Sequence, residues 1–109
     1  MEADASIPLL SLAARSMETE RGMLDLFARN IAAAQVAGPE GFTRLEPVPA
    51  QDEEGAPFIS SVRAHRVRNG SIVTEMLAVM QAQRAYESDA TMFSLGKHLA
   101  EQTIAVERT

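Results

Sequence analysis

The feature that most limits what this chain can fold into is its last third. From Ser71 to Arg108 there is no proline and a single glycine, Gly96. Apolar residues return at Ile72, Met76, Val79, Tyr86, Ala90 and Phe93, in steps of four, three and seven that hold one stripe on one side of a helix. A continuous helix over 71–107 is expected, roughly 50 Å long at 1.5 Å per residue. A compact domain of this size has no use for such a length unless the helix meets a partner along it.

A first helix of the same character is expected over 7–36. Ser6 is placed to cap it, and Pro8 falls in the first turn, where a missing N–H is harmless. Its seam runs Leu10, Ala13, Met17, Leu24, Phe27, Ile31 and Ala34, with Glu20 as the one interruption. Arg21, Asp25 and Arg29 form an i,i+4 ladder on another face. Gly22 weakens the middle by about 1 kcal/mol relative to Ala, so fraying or a bend is expected there. Gly38-Pro39 ends the helix, and residues 1–5 are polar and expected outside any element.

The middle, 38–70, holds Pro39, Pro47, Pro49 and Pro57 and the acidic run Asp52-Glu53-Glu54 before Gly55, which are loop signals. Within it Gly41 to Leu45 and Phe58 to Arg63 read as two short extended pieces of a hairpin. The alternation runs on to Arg68, before Asn69-Gly70 turns the chain. Ser71 can cap the second helix, and Glu75 sits in its first turn, where the dipole favours a negative charge. The expected fold is a single mainly α domain. Its two long terminal helices pair as an antiparallel, coiled-coil-like hairpin, with a short loop and β-hairpin insert between them. Leu12, Met23, Leu26, Leu77, Met80, Leu95 and Leu99 widen the apolar surface beyond two narrow seams, and the surplus must pack on the insert or on other copies.

Composition narrows the class further. The 109 residues allow one modest core, and with 5% aromatics and no Trp its contacts fall to Leu, Ile, Val, Met and Ala. Five methionines on or near the seams (Met17, Met23, Met76, Met80, Met92) suit adaptable packing. A net charge of −5 argues against a nucleic-acid partner, which calls for clustered Lys and Arg on a basic domain. The acid is unevenly placed: residues 1–54 carry ten Asp and Glu against four Arg, residues 55–109 five against six basic residues. Without cysteine there is no disulfide or thiolate metal site. No 18-residue apolar span is present, so no membrane insertion is expected. The opening MEADASIPLL lacks a basic region and a long apolar run, so any export is expected by a route other than a Sec signal.

Two segments carry a family resemblance. Leu24-Asp25-Leu26-Phe27-Ala28-Arg29-Asn30-Ile31-Ala32-Ala33-Ala34 resembles the N-terminal signature of flagellar basal-body rod and hook proteins, an Asn-Ile/Leu-Ala-Asn-Ala run in which Ala33 replaces the second Asn. Gly38-Pro39-Glu40-Gly41-Phe42 is similar to the turn before an aromatic in proximal-rod subunits. Near the other end, Val73-Thr74-Glu75-Met76 and Ala82-Gln83-Arg84-Ala85-Tyr86-Glu87-Ser88-Asp89-Ala90 are similar to the family's Glu-Met and Ala-x-Arg-x-Tyr signature, with Asp89 in place of Asn. The resemblance covers about half of the chain, and the length is nearest the proximal-rod type. It implies a structural subunit, with no cofactor and no catalysis. Such a subunit stacks with copies of itself and with other flagellar rod proteins into a helical tube in the periplasm, after passage through the flagellar type III export apparatus. Assembly contacts are then expected at Leu24, Phe27, Asn30, Ile31, Glu75, Met76, Val79, Arg84, Tyr86, Asp89 and Phe93.

Among these, Tyr86 and Arg84 are of the types favoured at interface hot spots. Asn30 is suited to bonding a neighbouring backbone or a cap, and Glu75 either sets register against a partner or only answers the helix dipole. The run Arg63, His65, Arg66, Arg68 is a solvated strand or a contact for an acidic neighbour. A catalytic reading finds no constellation: His65 and His98 are far apart, and there is no phosphate-cradling glycine loop or nucleophile elbow. The alternative in another class is a soluble helical adaptor unrelated to flagella.

Overall fold

The computed structural model describes residues 6–68 and 72–108. It holds helix α1 (Ser6–Val36), strands β1 (Phe42–Gln51) and β2 (Pro57–Val67), and helix α2 (Ile72–Arg108). The expected mobile N-terminus, the Asn69-Gly70 turn and the Ser71 cap lie outside the described residues. Ser6 is the first helical residue of the described chain, a one-residue difference at a frayed end.

Leu9 and Leu10 lie against Gly96, and Glu20 meets Asp89, so rising numbers on α1 go with falling numbers on α2 and the two helices run antiparallel. Helix α1 is the spine of the molecule. One side carries Leu10, Ala13, Met17, Glu20, Leu24, Phe27 and Ile31, all half-buried except Ala13, which is buried. Another row, Arg15, Thr19, Gly22 and Asn30, receives the hairpin. Thr19 Oγ1 donates to the Pro57 carbonyl at 2.8 Å. The Ile59 side chain comes down on Gly22, 3.1 Å from where a Cβ would stand. The helix runs unbroken through Gly22, where the missing side chain gives room for the strand.

The insert is more ordered than the two short pieces expected. Ten and eleven residues pair in one antiparallel ribbon, from Phe42 opposite Val67 to Gln51 opposite Pro57, with a bulge between Val48 and Pro49. Pro47 and Pro49 do not break β1 because it is an edge strand, where a residue facing outward needs no N–H. At the base, Gly41 has a φ of 82° and a Cβ there would collide with the Val67 carbonyl, so the position demands glycine. At the tip, Asp52 folds the turn: one carboxylate oxygen accepts from the Glu54 and Ala56 N–H groups, each at 2.9 Å, and the other accepts from Arg15 at 3.0 Å.

The molecule is thin, with extents of 68 × 24 × 13 Å and a radius of gyration of 18.6 Å. A compact chain of this length has a radius of about 13 Å. Among the described residues the buried apolar ones are correspondingly few: Ala13, Phe42, Ala56 and Ala82.

Candidate assembly interface

On α2 the inward face is a strict alternation of four and three: Glu75, Val79, Ala82, Tyr86, Asp89, Phe93, Gly96 and Ala100 are all buried or half-buried. This corrects the stripe expected from apolar period. Ile72 and Met76 are exposed, at 37% and 51%, and their places in the seam are taken by Glu75 and its heptad mates Ala82, Asp89 and Gly96. Half of the inward row is acidic or small, so a search for large apolar residues passes it over.

Three polar contacts tie the elements together. The Asn30 side chain, 1% exposed, donates to the Leu45 carbonyl at 2.7 Å and accepts from the Leu45 N–H at 2.8 Å, imitating one rung of a third strand. Glu75, also 1% exposed, accepts from Arg44 Nε at 3.1 Å, which ties β1 to the first turn of α2. Its Oε2 is buried and has no hydrogen-bond partner. In mid-seam Glu20 faces Asp89, and its pKa is raised from 4.5 to about 7 by burial first, then by the hydrogen bond to the Asp89 carboxylate and its charge.

Of the residues expected to make intersubunit contacts, Leu24, Phe27, Ile31, Val79, Tyr86, Asp89 and Phe93 are half-buried on the helix–helix face, and Asn30 and Glu75 are buried within the chain. Tyr86 lines a shallow groove with Phe93 and with Ala14, Met17, Glu18 and Arg21 of α1. Met76 and Arg84 point outward. Asn30 thus bonds a neighbouring backbone of its own chain, and Glu75 answers an arginine in addition to any helix dipole. Of the proposed ladder, Arg29 reaches Asp25 at 3.1 Å on an exposed surface.

The outward side of α2 is the part that sequence reasoning treated only as surplus. At 100° per residue, Leu77, Met80, Arg84, Glu87 and Thr91 lie on the side away from the Glu75–Ala82–Asp89 row, and Leu95 lies about 100° round from Gly96. Met76, Leu77, Met80, Leu95 and Leu99 are between 42% and 55% exposed. One helix therefore carries two opposed faces, and α1 covers one. The whole chain exposes 7790 Å², whereas a compact monomer of this mass exposes about 5,900 Å². The difference, about 1,900 Å², is more than the roughly 800 Å² that one partner gives up in an interface of standard size.

Among the described residues no three His, Asp or Glu side chains gather to hold a metal ion, and no helix is long and apolar enough to cross a membrane. No protein-family model and no curated protein matches this chain.

Proposed function

We propose that the chain is a structural subunit whose work is assembly, and that its place is the proximal rod of the bacterial flagellar basal body. There it stacks with copies of itself and with other rod subunits into a tubular driveshaft. The observation that carries this reading is the apolar surface that α2 leaves exposed, Met76, Leu77 and Met80 near its start and Leu95 and Leu99 further along, with Arg84, Glu87, Ser88 and Thr91 between the two patches. Such a face loses water-exposed apolar surface only against another chain. The two terminal signatures supply the choice of rod over other assemblies. The helix pair in this reading is coiled-coil-like, its four-three alternation giving knobs that seat between side chains of the facing helix. Export through the flagellar type III apparatus follows from the same reading.

The test is genetic and structural together. Deletion of the gene is expected to abolish swimming, and the parent chain is expected to restore it and to be found in purified basal bodies. A Leu77→Glu, Met80→Glu double variant, whose substitutions fall on the outward face, is expected to be made and exported without restoring swimming. Normal motility of the deletion strain, or absence of the chain from basal bodies, removes the rod reading and leaves a helical adaptor as the better account.

A further inference from the structure

The geometry points to a second docking surface, independent of the rod reading: the outer edge of β2, from Val62 to Arg66, receives an extended acidic peptide segment as a third strand. The two edges of the ribbon are unlike. Leu45 gives both its N–H and its C=O to Asn30, so these groups point away from β2. In an antiparallel pair such a residue is the non-hydrogen-bonded partner of the one opposite, and the pattern alternates along the strand. Thr43, Leu45 and Pro47 therefore face the outer side of β1, and opposite them Arg66, Ala64 and Val62 turn their N–H and C=O groups to the outer side of β2. The β1 side is closed, by Asn30 at Leu45 and by the absent N–H of Pro47. The β2 side has no proline from Phe58 to Val67, and every residue from Ser60 to Arg66 is exposed, so neither face of this stretch is covered.

Charge chooses the occupant. Arg63, His65 and Arg66 stand along β2, with Arg68 just past its end, in a chain whose net charge is −5. Arg66 is engaged with the Glu40 carbonyl at 2.9 Å, and His65 lies 3.8 Å from Glu46. Arg63 and Arg68 have no carboxylate partner among the described residues. Two copies paired edge to edge through β2 would set this cationic run against itself, which like charges across a ladder disfavour. An acidic strand meets the same run with opposite sign, its backbone giving affinity and its carboxylates giving register.

The probe is an end-blocked octapeptide alternating glutamate and valine, added to the full chain and followed by amide exchange and by titration. Binding is expected to slow exchange at Val62, Ala64 and Arg66 by tenfold or more. Ala64→Pro removes one outward N–H without touching a bond to β1, and it is expected to weaken binding at least tenfold with helical content unchanged. Arg63→Glu, which leaves the backbone intact, is expected to weaken it similarly and covers the case in which the proline disturbs the ribbon. A matched peptide with lysine for glutamate is expected not to bind. No binding of the acidic peptide, equal binding of the lysine peptide, or full binding by Ala64→Pro with the ribbon intact would each overturn the proposal, the last by showing attraction of charge without strand pairing.

Discussion

At the scale of single residues, the seam is held by side chains that a hydrophobic pattern does not select, and Glu20 is the most consequential. It interrupts the apolar row of α1, and the structure gives the reason: it meets Asp89, at a heptad position of α2, and keeps its proton up to about pH 7. Unfolded, the same carboxyl releases its proton near its ordinary value of 4.5. Between these values the folded chain binds more protons than the unfolded one, so this group's contribution to stability is fully present below about pH 4.5. It declines as pH rises and is gone above about pH 7. Glu20→Gln puts a permanent amide donor opposite Asp89 and removes the titration. The parent is expected to lose stability between pH 5 and pH 8 by up to a few kcal/mol, and the variant to lose less. Urea unfolding at the two pH values, compared as the difference between the proteins, measures it. Equal pH dependence in both would show that Glu20 does not hold the extra proton.

At the scale of elements, the ends of the two helices lie within a residue of where local chemistry puts them, because proline and glycine act locally, whereas the strands run up to six residues past the pieces expected. What the chain alone did not disclose is the seam of α2 and the length of the hairpin. The apolar period read Ile72 and Met76 as inward, but the burial of Glu75 depends on Arg44, which reaches it from a strand some thirty positions earlier. Likewise Pro47 and Pro49 read as loop until β1 is seen as an edge with Asn30 beside it. Of the candidate site, the heptad mates Val79, Tyr86 and Phe93 were legible from period, and the outward patches only as surplus hydrophobicity. A prediction belongs here, because Arg44–Glu75 is the tie from hairpin to α2. Arg44→Leu leaves a carboxylate buried without its cation and is expected to cost about 3–5 kcal/mol, whereas Arg44→Leu with Glu75→Leu is expected to return most of that loss. Chemical denaturation of both single variants and the double variant gives the coupling. A double variant no better than Arg44→Leu would mean that the pair is not what joins these elements.

At the scale of the whole molecule, the governing fact is that the fold spreads over 68 Å and buries only four apolar side chains among the described residues. Alone, such a fold is held by half-buried contacts, and its margin over the conformational entropy of two long helices is thin. Burying the outward face of α2 against a neighbour adds stability by mass action, since the folded chain associates and the unfolded chain does not. Above the concentration at which association begins, each tenfold increase then contributes up to about 1.4 kcal/mol, which for a chain of this length raises the melting temperature by about 4–8 °C. The parent's melting temperature is therefore expected to climb with protein concentration, in step with its sedimentation coefficient. The Leu77→Glu, Met80→Glu variant is expected to melt at one temperature throughout and to sediment as a monomer, because both side chains are more than half exposed and lie away from the α1-facing row. If the parent too melts at a constant temperature while remaining a monomer, the apolar surface is tolerated exposure rather than an interface, and the case for assembly loses its physical basis.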